Sequence, residues 1–130
     1  MNAPTSITEV QQAIHSATRV RVVGGGTKSA LSSGAELSTA GLRGVIQYEP
    51  SEYTFTALGG TPVSDIRQIL DEQRQCMPFD PPLLEAGATL GGTVAAGLSG
   101  PGRYRFGGVR DFLLGVRMVT GEGRIVFGGG

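Results

Sequence analysis

Apolar positions change their period several times along the chain, and each change marks an element. Behind Ser6, the residues Val10, Ala13, Ile14 and Ala17 fall on one helical face. Ser6 and Glu9 have capping-box spacing, in which each side chain satisfies a free N–H of the first turn. The run Arg19-Val20-Arg21-Val22-Val23 is β-branched and predicts a strand. Residues 44–49 predict a second strand, stopped by Pro50, and the alternating residues 53–58 a third, ended by Gly59-Gly60. The short connection makes these two a hairpin-like pair. Thr61-Pro62 opens a helix, Thr61 as N-cap and Pro62 at the first helical position. Asp65 favours the positive end of its dipole. Val63, Ile66, Ile69 and Leu70 form its buried stripe, and the helix ends near Gln75. Three prolines between Met77 and Pro82 make a stiff, extended segment. A short helix over residues 92–98, a loop over 101–108 and a long strand over 112–120 follow. A tight turn at 121–123 and a paired return strand end the chain. Residues 31–44 carry no helical apolar stripe.

Glycine changes the picture. The chain has 22 glycines without a Gly-X-Y period, clustered at Gly24-Gly25-Gly26, Gly59-Gly60 and from Gly87 onward. Residues 87–100 are nearly all small, and none can act as acid, base or metal ligand. Their value lies in bare backbone and close approach. Thr89, Thr93 and Ser99 add hydroxyls, a chemistry suited to wrapping phosphate oxygens, although small residues also let a helix pack tightly on a sheet. Free N–H groups at the start of the helix at residues 90–93 would face an anion. The first strand likewise runs into Gly24-Gly25-Gly26-Thr27-Lys28-Ser29, a second plausible phosphate cradle. Gly24, Gly26, Ser29 and Glu49 nearly match a dinucleotide fingerprint. Ser29 replaces the third glycine, however, and a Rossmann unit needs a helix from Lys28 to Thr39 that the pattern lacks.

At 130 residues the chain is at most one ordinary domain or part of a larger one. The final hairpin lacks a capping element, which suggests a larger parent chain. Net charge is zero, against a general nucleic-acid binder. Acids dominate from Gly44 to Glu85, and arginines from Gly100 onward. Arg103, Arg105 and Arg110 are candidate carboxylate partners, weighed against structural roles. The lone histidine, His15, lies off the apolar face and reads as a surface residue. The lone Cys76 cannot form an internal disulfide, so a reducing compartment is the default. With no membrane-span-length apolar run and no signal-peptide core, the expected location is the cytoplasm, or the periphery of the inner membrane.

The order of these segments carries a resemblance. Two glycine loops are separated by a strand pair, a Thr-Pro-initiated helix and Pro78-Phe79-Asp80-Pro81-Pro82. Ala88-Thr89-Leu90-Gly91-Gly92 comes next, followed by Ser99-Gly100 and Val109-Arg110-Asp111. From about Arg19 to Gly130 this resembles the PCMH-type FAD-binding domain of the vanillyl-alcohol-oxidase class, and within it the FAD-binding subunits of bacterial glycolate oxidases. The resemblance implies an α+β fold of two small α/β subdomains, about 1–60 and 61–130, incomplete at the C-terminus. It implies FAD held by Gly24, Gly25, Gly26, Thr27, Lys28 and Ser29 on one side. Pro82, Thr89, Gly91, Gly92, Thr93, Ala96, Gly97, Ser99 and Gly100 would hold it on the other. Many relatives attach FAD through a His in or near the first loop. This loop has no His or Cys, so non-covalent FAD is expected. The implied reaction is oxidation of a 2-hydroxy acid, glycolate to glyoxylate, and the implied partners are a second flavin subunit and an iron–sulfur subunit. No catalytic residue is identifiable, and a non-catalytic FAD-binding or electron-transfer module is the alternative.

Overall fold

The computed structural model describes residues 2–27 and 35–129. Its first element, α1 (Ile7–Ser16), starts at Ser6, whose Oγ accepts the Glu9 N–H at 3.3 Å. The Glu9 carboxylate returns to Thr5 rather than to Ser6, accepting its N–H at 2.7 Å and its hydroxyl at 3.1 Å. Val10 and Ala13 are buried against Leu37, with Ile14, Val20, Leu42 and Val119 packed around them.

Strand β1 (Val20–Val23) pairs in parallel with β2 (Ala35–Ser38), Val20 opposite Ala35 and Val23 opposite Ser38. Arg21 and Glu36 form an ion pair across this ladder. The sequence pattern gave no sign of β2. Its four residues alternate too briefly to register, and its pairing partner precedes it by a loop rather than by a hairpin turn. The strand also excludes the Rossmann alternative, because Ala35–Ser38 are extended where that unit requires helix.

β3 (Val45–Glu49) and β4 (Thr54–Ala57) form the expected antiparallel pair. A 3-10 turn at Pro50–Glu52 and Tyr53 in the left-handed region (φ 56°) join them. Helix α2 (Val63–Glu72) buries Val63, Ile66 and Leu70. Its N-cap position is Pro62, and Thr61 does not cap it. The Thr61 hydroxyl instead turns back to the hairpin, donating to the Leu58 carbonyl at 2.6 Å and accepting the Gly44 N–H at 2.9 Å. The helix also stops short of Gln75, whose amide bridges Tyr48 Oη at 2.5 Å and the Pro50 carbonyl at 2.8 Å.

Helix α3 (Leu90–Ala96) starts two residues earlier than the pattern indicated and ends at Gly97 with φ 64°. Two single-turn helices follow, α4 (Arg103–Phe106) and α5 (Val109–Phe112). The expected loop at 101–108 thus contains helix, and the expected strand from Phe112 begins only at Gly115. The Asp111 carboxylate accepts the Gly108 N–H at 2.8 Å, and Ser99 Oγ accepts that of Val109 at 2.9 Å. These two bonds favour a turn over the extended backbone that the apolar run suggests. Strands β5 (Gly115–Val119) and β6 (Ile125–Gly129) then form an antiparallel hairpin.

This hairpin lies against α1. Gln11 Nε2 donates to the Gly123 carbonyl at 2.6 Å, and His15 Nε2 lies 3.0 Å from the Glu122 carbonyl. His15 is exposed, as expected, and braces a turn. Among the described residues the result is a mixed α+β fold of three two-stranded sheets and the helices between them. Among the described residues, no helix is long and apolar enough to cross a membrane.

Candidate functional site: the junction of two glycine loops

Both glycine loops emerge from elements that aim them at each other. β1 delivers Gly24 and Gly25, and the segment after the prolines delivers Gly87, Ala88 and Thr89. A Cβ added to Gly24 would strike the Thr89 hydroxyl, and one added to Gly25 would fall on the Gly87 carbonyl oxygen. The first loop is therefore in backbone contact with the second, across more than sixty positions of sequence. Only glycine permits that approach.

A third pair of glycines completes the junction. The Gly91 N–H donates to the Gly59 carbonyl at 2.7 Å, and Leu90 N–H to the Thr61 carbonyl at 2.9 Å. Val63 N–H donates to the Ala88 carbonyl at 2.8 Å, and Pro62 and Thr89 form an isolated bridge. Gly59-Gly60 thus belongs to this junction, beyond the strand end that its sequence indicates. The signal was present: a second glycine is unnecessary for ending a strand, and here a Cβ on Gly60 would overlap the Thr39 carbonyl.

The start of α3 departs from the sequence expectation. The first N–H groups of α3 do not face an open anion site. Leu90 and Gly91 donate as above, Gly92 donates to Thr89 Oγ1 at 3.2 Å, and Thr93 donates to the Thr89 carbonyl at 2.9 Å. Thr89 and Thr93 are buried, and Thr93 Oγ1 also donates to the Thr89 carbonyl at 2.9 Å. Gly25 and Gly26 differ: both residues are exposed, and their amides make no hydrogen bond to a described residue. Gly26 has φ 74° and open space where a side chain would project. Lys28 and Ser29 lie outside the described residues, and Thr27 is half-buried at their edge.

The remaining site residues gather at the far end of α3, about 10 Å along its axis at 1.5 Å per residue. Ala96 and Gly97 are exposed there. Gly100 lies so close to Asp80 that a Cβ would strike the Asp80 carbonyl, and its N–H donates to the Phe79 carbonyl at 3.0 Å. That contact sets the chain after α3 against the proline segment that carries Pro82. Ser99 Oγ is engaged with Val109. Arg103, a candidate carboxylate partner, donates to the Ser99 and Gly100 carbonyls at 3.1 and 3.0 Å and stacks on Tyr104 at 4.4 Å. Arg105 stacks on Phe106 at 5.2 Å, while Arg110 is exposed. None of the described site residues is titratable, and among the described residues no group of His, Cys, Asp and Glu is arranged to hold a metal. The nearest carboxylate that these contacts bring to the far cluster is that of Asp80, beside Gly100.

The chain resembles known proteins in one family model, two sequence relatives and one solved structure. A family model described as an FAD binding domain matches residues 2–129. The chain is 41% identical over 125 residues to glycolate oxidase subunit GlcE of Escherichia coli, covering 93% of this chain and 36% of that protein. It is 28% identical over 132 residues to a D-2-hydroxyglutarate dehydrogenase of Xanthomonas citri, covering 95% of this chain and 28% of the relative. Among solved structures, 6-hydroxy-D-nicotine oxidase from Arthrobacter nicotinovorans superposes with a TM-score of 0.78 at 16% identity, over 98% of this chain and 29% of that one. The chain spans about a third of the length of the curated relatives it matches.

Proposed function

The chain belongs to the FAD binding domain family, and from that premise we propose that it is the cofactor-holding part of an oxidoreductase that converts glycolate to glyoxylate. The observation that carries the substrate class is the 41% identity with a glycolate oxidase subunit across nearly the whole chain. A relative named for another 2-hydroxy acid supports the same class. When bound, FAD supplies the redox chemistry by taking the hydride removed from the carbinol carbon. The protein's part is to bind and orient.

The residues fit such a group. Gly25 and Gly26 are exposed residues whose N–H groups bond no described residue, and Gly26 presents bare backbone at a positive φ. Backbone of this kind suits phosphate oxygens. The clusters at the two ends of α3 suit a ligand as long as a dinucleotide. In this reading residues 24–29 meet the diphosphate. Pro82 and the residues of and after α3, through Gly100, flank the rest, with residues 1–60 and 61–130 as two subdomains. FAD is held without a covalent bond, and the working enzyme includes a second flavin subunit and an iron–sulfur subunit in the cytoplasm or at the inner membrane's edge.

One second reading stands beside it: an FAD-binding module that relays electrons while a partner oxidises the substrate. Anaerobic addition of glycolate to the FAD-reconstituted protein without partners separates the two. Bleaching of the visible flavin band supports oxidation here. An unchanged band with flavin bound supports the module, and failure to take up any flavin overturns both.

A further inference from the structure

We propose that Thr89 is a positioning residue that fixes the spacing of the two cofactor loops and does not itself contact the cofactor. This inference rests on the FAD reading above. Thr89 is 6% exposed and stands where the second loop enters α3. Its two faces do different things. Oγ1 accepts the Gly92 N–H at 3.2 Å, and so sets where α3 begins. The same side chain abuts Gly24, where an added Cβ would meet Oγ1 and would lie 3.2 Å from Cγ2 and 3.4 Å from the Thr89 Cβ. Gly87 closes on Gly25 beside it. Gly24 and Gly25 are therefore occupied by protein on the side where a side chain would project. The first loop's open face begins at Gly26, where nothing lies within 4 Å of that position. A threonine that both caps the helix and spaces the loop links the two halves of the site through a single rotamer.

The consequence is that the hydroxyl controls cofactor affinity at a distance. The test is FAD titration of the apoprotein by flavin fluorescence quenching, well below its melting temperature, alongside its thermal midpoint. Thr89→Ser keeps the hydroxyl and should bind FAD within about threefold of the unaltered protein. Thr89→Val keeps the shape but loses the cap, and should bind about tenfold more weakly. A purely structural threonine would lower the thermal midpoint in Thr89→Val and leave the affinity of the folded apoprotein unchanged, and that result overturns the proposal. So does a Thr89→Ser variant as weak as Thr89→Val.

A second pair of variants tests the spacing directly. Gly24→Ala should weaken FAD binding, and adding Thr89→Ala should recover part of the loss by clearing the overlap, a non-additive coupling. Strictly additive losses overturn the proposal. If the unaltered protein takes up no FAD, the reading beneath the proposal fails instead, and the outcomes are distinguishable.

Discussion

Gly91, the second residue of α3, donates its N–H to the Gly59 carbonyl at 2.7 Å, and a Cβ on Gly91 would lie 2.8 Å from that oxygen and 3.1 Å from the Gly59 Cα. The start of the helix is thus docked on the exit of β4 by backbone alone. Helix propensity favours Ala over Gly by about 1 kcal/mol, so Gly91→Ala in an open helix would stabilise. Here the methyl group meets backbone that cannot rotate away, and overpacking costs about 1–3 kcal/mol. The expected outcome is a thermal midpoint lowered by several degrees. Gly121→Ala, at an ordinary φ with nothing within 4 Å, should change it little. A stabilised Gly91→Ala variant would show that the docking contact is looser than described.

Thr61 separates two accounts of one residue. As an N-cap it would tolerate Asp, which caps as well as Thr. In the fold it is 1% exposed, and its hydroxyl both donates to the Leu58 carbonyl and accepts from Gly44. Asp in that place accepts but cannot donate, and buries a charge. Thr61→Asp should therefore cost well over 2 kcal/mol, while Thr61→Ser keeps the network and costs less. Equal stability of the Asp and Ser variants in chemical denaturation would restore the capping account.

The contrast shows what kind of information the sequence held. Elements defined by a local period were legible: α1 through Val10 and Ala13, the β3–β4 pair through its alternation and Pro50, and α2 through Val63, Ile66 and Leu70. The two glycine loops were legible as special because no local element needs so much glycine. What each glycine does was not, because the atom that excludes a Cβ at Gly25 is the carbonyl of Gly87. Strand β2 was missed for a related reason. Its partner β1 lies across the first loop, and Asn2 pairs with it from the other side. The α5 turn carries no local period, and the apolar run from Phe112 hides that the strand starts only at Gly115; the bonds that form the turn come from Asp111 and from Ser99.

Leu83 has φ 62°, and it follows the Pro81-Pro82 pair. Left-handed backbone costs a branched residue about 1–2 kcal/mol, and the side chain is 44% exposed, so little burial offsets it. The conformation is held because the Leu83 carbonyl accepts the Ala86 and Ala88 N–H groups at 3.1 and 3.2 Å, closing the turn that leads into the second loop. Leu83→Gly should keep these bonds and raise stability by up to about 1 kcal/mol. A lower midpoint in urea unfolding would mean that the Leu83 side chain packs more than its exposure indicates.

Glu9 gives the chain an acid-sensitive point. The Thr5 N–H, then the Thr5 hydroxyl, hold its carboxyl below its ordinary value of 4.5. A depressed folded-state value means stability that is present above the unfolded group's titration and lost as pH falls through the folded one. Glu9→Gln removes this ionisation. Its thermal midpoint should fall less than that of the unaltered protein as pH is lowered from about 5 toward 3. Identical pH profiles would show that Glu9 is not coupled to folding.

The attachment of the cofactor can be tested chemically. The lone histidine sits on α1 with its ring against Gly123, where even a Cβ on that glycine would clash. That packing and its Glu122 contact tie it to the β5–β6 turn. The lone cysteine, Cys76, is exposed beyond the end of α2. Neither lies at the junction of Gly24 and Gly25 with Gly87 and Thr89. Denaturing the FAD-loaded protein with acid should therefore release the flavin into the supernatant and leave a colourless pellet. Flavin retained by the pellet would require a covalent bond from a residue outside this junction, and would overturn the non-covalent reading while leaving the family assignment intact.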